Sequence, residues 1–224
     1  MNIAALIPVR KGSTRIPNKN LQLIGDTTLL GRKIQQLKQC SHINTIYVGT
    51  DGEELASEAD KYGVEVVHRD PVCCDESIAS ANMMIADFVK RVSCNIVLWV
   101  HVTNPFVESA TYDSAVLKYL EKQDKGFDSL ISVLAMQEHL WTPNYYPLNY
   151  NPYKEKHTLA KELPAYFRQT GAFFIQHHAA MKNNSYFFGK RPYLYRTTEL
   201  EAIDINTPYD LSLANAMLKE CNGI

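Results

Sequence analysis

Four basic residues, Arg10, Lys11, Arg15 and Lys19, fall within the stretch "IPVRKGSTRIPNKN", directly behind an apolar strand-like run and ahead of a helical pattern. Gly12 permits close backbone approach or positive φ, Ser13 and Thr14 add hydroxyl groups, and the basic side chains can neutralise several phosphate oxygens. The stretch reads as a polyphosphate cradle. It has neither the G-x-x-x-x-G-K-[ST] nor the G-x-G-x-x-G spacing. On composition alone, a solvated basic loop explains it equally well.

A second group lies in "AIDINTPYDL", where Ile203 and Ile205 flank Asp204 and the alternation places Asp204 and Asn206 on one face of a strand end. Two oxygen-bearing side chains so spaced can face a hard cation. Magnesium takes one or two protein carboxylates and leaves the other positions to water and phosphate, so this pair is chemically sufficient. The same residues also spell a helix start, with Thr207 as N-cap and Pro208 in the first turn. In "YVGTDGEEL", Asp51 is expected to cap the following helix, with a ligand-facing role as the alternative. "HVTNPF" sets His101 and Thr103 at the carboxyl end of a strand, and "FRQTGAFF" sets Arg168 and Gly171 ahead of another. Phe187 and Phe188 in "SYFFGKRP" suit core packing.

These residues need a frame, and the hydrophobic pattern supplies one. Strand-like runs at Ile3 to Val9, "NTIYVGTD", "VEVVHR", "NIVLWVHV" and "SLISVLA" alternate with amphipathic segments near 29–39, 53–62, 80–91 and 109–122. Such alternation predicts an α/β protein whose mostly parallel sheet is covered by helices on both faces. Ligands of such sheets bind outside the carboxyl ends of the strands, where the cradle, Asp51 and His101 are all expected. The pattern breaks at "QEHLWTPNYYPLNYNPY", rich in Pro, Asn and aromatics, making about residues 137–165 an excursion whose aromatics either pack on the core or bury in a second subunit. Strands then return at "AYFRQTGAFFIQ" and "RPYLYRTT", and a strand edge followed by a capped helix closes the chain. One domain over 1–224 is the expectation, since single cores keep growing to roughly 250–300 residues.

A net charge of −1 argues against nucleic acid or a membrane as the main partner. The five cysteines, two of them adjacent, form no C-x-x-C and suggest neither a disulfide framework nor a zinc site. With no apolar run of membrane length and no signal-like N-terminal pattern, a cytoplasmic location is expected.

In order, these stretches resemble the sialic-acid-type cytidylyltransferases, the CMP-N-acylneuraminate synthetases and their relatives for other nonulosonic acids. "IPVRKGSTRIPNKN" carries the matching Arg10, Ser13, Pro17, Lys19 and Asn20. "VGTDGEELASEADKYGVEVVHR" ends on the matching Arg69, and "HVTNP", "FRQTGAFF" and "EAIDIN" follow. The resemblance implies a Rossmann-like nucleotidyltransferase fold with a small protruding dimerisation arm, a homodimer, and magnesium as cofactor. Its implied substrates are CTP and an acidic, nonulosonic sugar, giving CMP-sugar and pyrophosphate. It also implies that Arg10, Ser13 and Lys19 hold the triphosphate, and that Gly12, Asn20, Arg69 and Ser80 belong to the nucleotide site. His101, Thr103, Arg168, Gly171, Phe187 and Phe188 fall on the sugar side, and Asp204 with Asn206 on the metal. The chain departs from the pattern where Asn206 stands for a second Asp, His101 for Gln and Thr170 for Asn, and where Thr142 and Ala160 stand for a Lys and an Arg. Another nucleotide or acceptor, a glycosyltransferase of similar build, and a binding protein with reduced activity are the alternatives.

Overall fold

The computed structural model describes residues 1–222, so the last two residues of the expected 1–224 domain lie outside it. Its main sheet has seven strands: β1 (Ile3–Pro8), β4 (Thr45–Thr50), β5 (Glu65–His68), β6 (Ile96–Val100), β7 (Ser129–Met136), β8 (Tyr166–His177) and β9 (Pro192–Arg196), in the order β5-β4-β1-β6-β8-β7-β9. A two-stranded hairpin, β2 (Leu23–Ile24) with β3 (Thr27–Thr28), stands apart from it.

Residue alternation along β1 assigns the two layers. Ile3, Ala5 and Ile7 pack on one face with residues of α1 (Leu29–Lys38), α2 (Glu53–Asp60) and α5 (Ser109–Gln123). Ala4 and Leu6 point the other way, to Ile85 and Phe88 of α4 (Ala81–Val89) and Met181 of α6 (His178–Asn184). Burial on both faces is why the strand reads as an unbroken apolar run rather than an alternating one. A four-residue helix, α3 (Pro71–Cys74), follows β5, and α7 (Pro208–Asn222) closes a third cluster with Ile16, Ile24, Phe106 and Ile205.

The expected parallel sheet is present from β5 to β6, and β7 pairs with β9 in the same sense. Between them β8 runs antiparallel to both neighbours. Its register against β7 shifts between Ile131 and Val133, and this irregularity accommodates Gly171 at φ +75°, a left-handed conformation that side chains resist. Residues 137–165 link β7 to β8 with one short bridge, Trp141 to Pro147, and a single 3₁₀ turn at Ala160–Glu162. The expected strand edge around Asp204 is not a strand. Residues 203–206 are irregular, and only the Ile205 N–H, bonded to the Thr103 carbonyl at 2.8 Å, ties them to the strand-end loops by backbone. The cap that follows is as expected: the Thr207 hydroxyl accepts from the Asp210 N–H, and the Asp210 carboxylate accepts from the Thr207 N–H at 2.7 Å.

Lys33, on α1, is fully buried. Its amine donates to the Asn104 carbonyl at 2.9 Å and lies 2.8 Å from the Tyr112 hydroxyl, pinning the loop after β6 to the helix layer. Burial pushes its pKa down from 10.5 to about 7, with Glu108 opposing. Between those values the unfolded chain keeps a proton that the folded chain has released, so Lys33 makes folding more favourable as pH rises through that window. Urea unfolding from pH 7 to 9 is expected to give wild-type stability rising relative to Lys33→Met by on the order of 1 kcal/mol per pH unit. Parallel pH profiles for the two proteins would refute this.

Candidate active site

The basic loop begins where β1 ends. It turns through Gly12 at φ +73°, passes Asn18 at φ 49°, and enters a single 3₁₀ turn at Lys19–Leu21. Two side chains fix its course: Asn20 donates to the Arg10 carbonyl at 3.1 Å, and the Asp51 carboxylate accepts from the Lys11 N–H at 3.0 Å. Asp51 therefore does not cap α2. Gly52 holds the N-cap position without a side-chain bond, and the carboxylate is spent on the loop opposite.

A cleft of about 300 Å³ opens at the carboxyl ends of the strands and is lined by Arg10, Ser13, Lys19, Asn20, Arg69, His101 and Thr103. Seven of the expected site residues thus meet in one place although they span Arg10 to Thr103 in the sequence. Lys19 is half-buried, with its amine 3.3 Å from the Ile205 carbonyl; burial lowers its pKa, and the negative charge of Asp204 works against that. Arg69 is buried, donates to the carbonyls of Cys73 and Met84, and lies 3.5 Å from Asp87, so it shapes the cleft floor as well as charging it. Arg10 is held side-on by Glu76, its Nε and Nη2 donating to the two carboxylate oxygens at 3.1 and 2.7 Å.

The sugar-side residues divide. The His101 ring lines the cleft, but both its nitrogens are engaged: Nε2 accepts from the Trp99 indole at 3.1 Å, and Nδ1 donates to the Gly171 carbonyl at 2.6 Å. Those partners fix a neutral tautomer, and burial lowers its pKa. Gly171 acts through that carbonyl, behind the cleft wall. Phe187 stacks on Phe174 at 4.7 Å and meets Trp99 edge-on, while Phe188 packs on the same cluster. Arg168 is exposed on β8, opposite Leu134 and outside the cleft. Ser80 caps α4 through the Met83 N–H, one residue beyond the cleft-lining Ala79. Thr170 is buried against Ser132. Gly12 offers its carbonyl to Arg10 at 3.2 Å.

Asp204 and Asn206 adjoin the cleft beside Lys19. Asn206 donates to Asp204 Oδ2 at 2.6 Å, and its own Oδ1 accepts from Arg15 at 3.0 Å. One carboxylate beside Lys19 suits magnesium, which keeps water and phosphate oxygens as most of its ligands, so Asp204 is the residue that would hold it. Among the described residues no group of three or more His, Cys, Asp or Glu forms an all-protein metal cage.

Sequence reasoning missed Asp75 and Glu76, which line the cleft, and Arg15, whose side chain it left without a role. The signal for the first two was their position in the break between β5 and α4, at another strand's carboxyl end.

An α/β sheet with a basic loop behind its first strand and a carboxylate facing that loop has the build of a nucleotidyltransferase. The chain belongs to the cytidylyltransferase family, whose model matches residues 4–222. It is 27% identical over 225 residues to N-acylneuraminate cytidylyltransferase A of Danio rerio, covering 95% of this chain and 50% of that protein. To the 3-deoxy-manno-octulosonate cytidylyltransferase of Chlorobium chlorochromatii it is 30% identical over 149 residues, covering 66% of this chain and 56% of that one. The chain thus spans about half the length of these curated relatives. Among solved structures, CMP:2-keto-3-deoxy-manno-octonic acid synthetase complexed with CTP superposes with a TM-score of 0.72 at 14% identity, covering 98% of this chain and 99% of that one. The 4-diphosphocytidyl-2C-methyl-D-erythritol synthase of Anaerococcus prevotii gives 0.68 at 13%, covering 97% and 96%. These two likenesses establish the fold.

Because Glu76 occupies Arg10, it competes with any anion entering the cleft. Glu76→Gln is expected to bind inorganic triphosphate about threefold to tenfold more tightly in calorimetry, as an ion pair on a mostly exposed partner is worth roughly 1 kcal/mol. Equal affinities would show that Glu76 does not compete.

Proposed function

We propose that this chain transfers the cytidylyl group of CTP to the anomeric hydroxyl of a nonulosonic acid, releasing pyrophosphate. The observation that carries the reading is the convergence of Arg10 and Lys19 on one cleft at the strand ends of a cytidylyltransferase-family chain, with the Asp204 charge acting on Lys19. The sugar oxygen forms a bond to the α-phosphorus as the bond from that phosphorus to the bridging oxygen breaks, and negative charge builds on the departing pyrophosphate. Arg10, once released by Glu76, and Lys19 neutralise that charge, so positioning and electrostatics supply most of the catalysis. Magnesium held by Asp204 would add Lewis-acid charge when bound. Asn20 and Arg69 shape the nucleoside side through their bonds to backbone carbonyls. His101, with no free ring nitrogen, presents a shaped wall to the acceptor rather than a hydrogen bond.

The reaction is tested by pyrophosphate release with each nucleoside triphosphate against nonulosonic acids and 3-deoxy-manno-octulosonate. Release is expected with CTP and a nonulosonic acid. Faster turnover of the octulosonate would reassign the acceptor, and turnover of another nucleotide would overturn the CTP reading. Arg10→Ala is expected to lower kcat/KM for CTP more than tenfold, the effect of losing a charge-assisted phosphate contact of roughly 1.5–3 kcal/mol. An unchanged value would remove Arg10 from the phosphate site.

The arm proposal rests on exposure. Trp141, Tyr145 and Tyr153 stand 57%, 88% and 92% exposed on the 137–165 segment, and such aromatics are favoured at subunit interfaces. Sedimentation at micromolar concentration is expected to show a dimer, with Trp141→Ala shifting it toward monomer; a wild-type monomer would reject the arm. In this reading the protein works in the cytoplasm on small molecules, and no helix among the described residues is long and apolar enough to cross a membrane.

A further inference from the structure

Both ends of the Asn206 side-chain amide are engaged, as is its backbone N–H. Its backbone N–H donates to Asp210 Oδ2 at 2.9 Å, its side-chain N–H donates to Asp204 Oδ2 at 2.6 Å, and its Oδ1 accepts from Arg15 at 3.0 Å. The partners also fix which way the amide points, because a carboxylate can only accept and a guanidinium can only donate. The flipped amide would set oxygen against oxygen and nitrogen against nitrogen. An oxygen that already receives a guanidinium N–H is a poor candidate for a cation, since the ion would sit beside a positive charge.

Arg15 is the other half of the arrangement. It lines the cleft alongside Ser13 and Lys19, close enough for its charge to act on the Lys19 amine. Its situation contrasts with that of Arg10, which is neutralised by Glu76. Arg15 is hydrogen-bonded by a neutral amide, and among the described residues no contact ion pair engages it. Asp210, behind Asn206, accepts the N–H groups of residues 206 and 207 on its Oδ2, and the Arg15 charge reaches it without a contact pair. A guanidinium held in place without being neutralised is suited to receive an anion.

We propose that Asn206 is a positioning residue that bridges Arg15 to Asp204, and that Arg15, so held, contacts the terminal phosphates of the nucleotide. The neutral amide is essential to this role. An aspartate in its place would neutralise Arg15 and set a second carboxylate against Asp204, whereas asparagine orders both charges and cancels neither. The inference rests on the CTP reading given above.

The test is equilibrium binding of CTP and of CMP by calorimetry, in EDTA and again with magnesium. In EDTA, Asn206→Ala and Arg15→Ala are each expected to weaken CTP at least tenfold and CMP less than twofold. The double variant is expected to lose no more than Arg15→Ala alone, because the asparagine acts through the arginine. Asn206→Asp is expected to weaken CTP in EDTA as well, since the new carboxylate captures Arg15. CMP binding reports intact folding in each variant. The inference is overturned if Asn206→Ala binds CTP normally in EDTA and loses affinity only with magnesium, the signature of a cation ligand, or if the two single losses multiply. Wild-type protein that bound CTP no better than other nucleoside triphosphates would instead remove the functional reading, and the inference with it.

Discussion

The acidic side of the cleft has no strand to hold it. Residues 203–206 cross the ends of the sheet without a ladder of their own, and their position depends on one relay: Lys33 donates to the Asn104 carbonyl, and the Asn104 side chain donates to the Ile203 carbonyl at 3.0 Å. The Ile205 N–H adds a second tie to Thr103, and Arg32 and Gln36 both donate to the Pro105 carbonyl from the same helix. A buried lysine amine is costly to desolvate, and here the polar partners at Asn104 and Tyr112 offset part of that cost. The return is geometric. Asp204 is set against Lys19 from the far end of the chain, and opposite charges face across the cleft without collapsing into a contact pair.

The loop opposite is ordered by the same means. Asn20 and Asp51 bind its backbone, and of its charges only Lys11 pairs with Asp51, so Arg10, Arg15 and Lys19 line the cleft while the peptide is fixed. The two basic residues nearest its mouth are handled differently. Arg10 is parked on a carboxylate that an incoming anion must displace, and Arg15 is held by an amide that leaves its charge exposed. A site built this way tunes affinity through the residues that hold its cations as well as through the cations themselves.

The frame was legible in the sequence where burial is strong and local. The apolar runs at 3–9 and 95–102 and the amphipathic segments between them are β1, β6 and their covering helices, and Thr207-Pro208 began a helix as expected. Position behind a strand also placed Arg10, Lys19 and His101 correctly at the cleft. What escaped is what depends on side-chain partners far away in sequence. Asp51 has the residue type and place of a cap, and only the approach of Lys11 redirects it. The alternation around Asp204 imitates a strand, yet no neighbour offers it a ladder. The two ring nitrogens of His101 find partners at Trp99 and at Gly171, seventy positions on, and no local pattern announces the second. Lys33 reads as an ordinary surface lysine on an amphipathic helix until Tyr112 and Asn104 close over it.

The reversed direction of β8 has a consequence for how such a protein can diversify. Because that strand enters the sheet at the end where β1, β4 and β6 finish, the segment feeding it, residues 137–165, emerges on the cleft side of the molecule rather than on the far side. Length and composition can change there without altering the pairing of any strand. The basic loop and Asp204 lie on other connections, so the phosphate machinery is insulated from such changes. Change in that one insertion is thus separated along the chain from the residues that line the cleft.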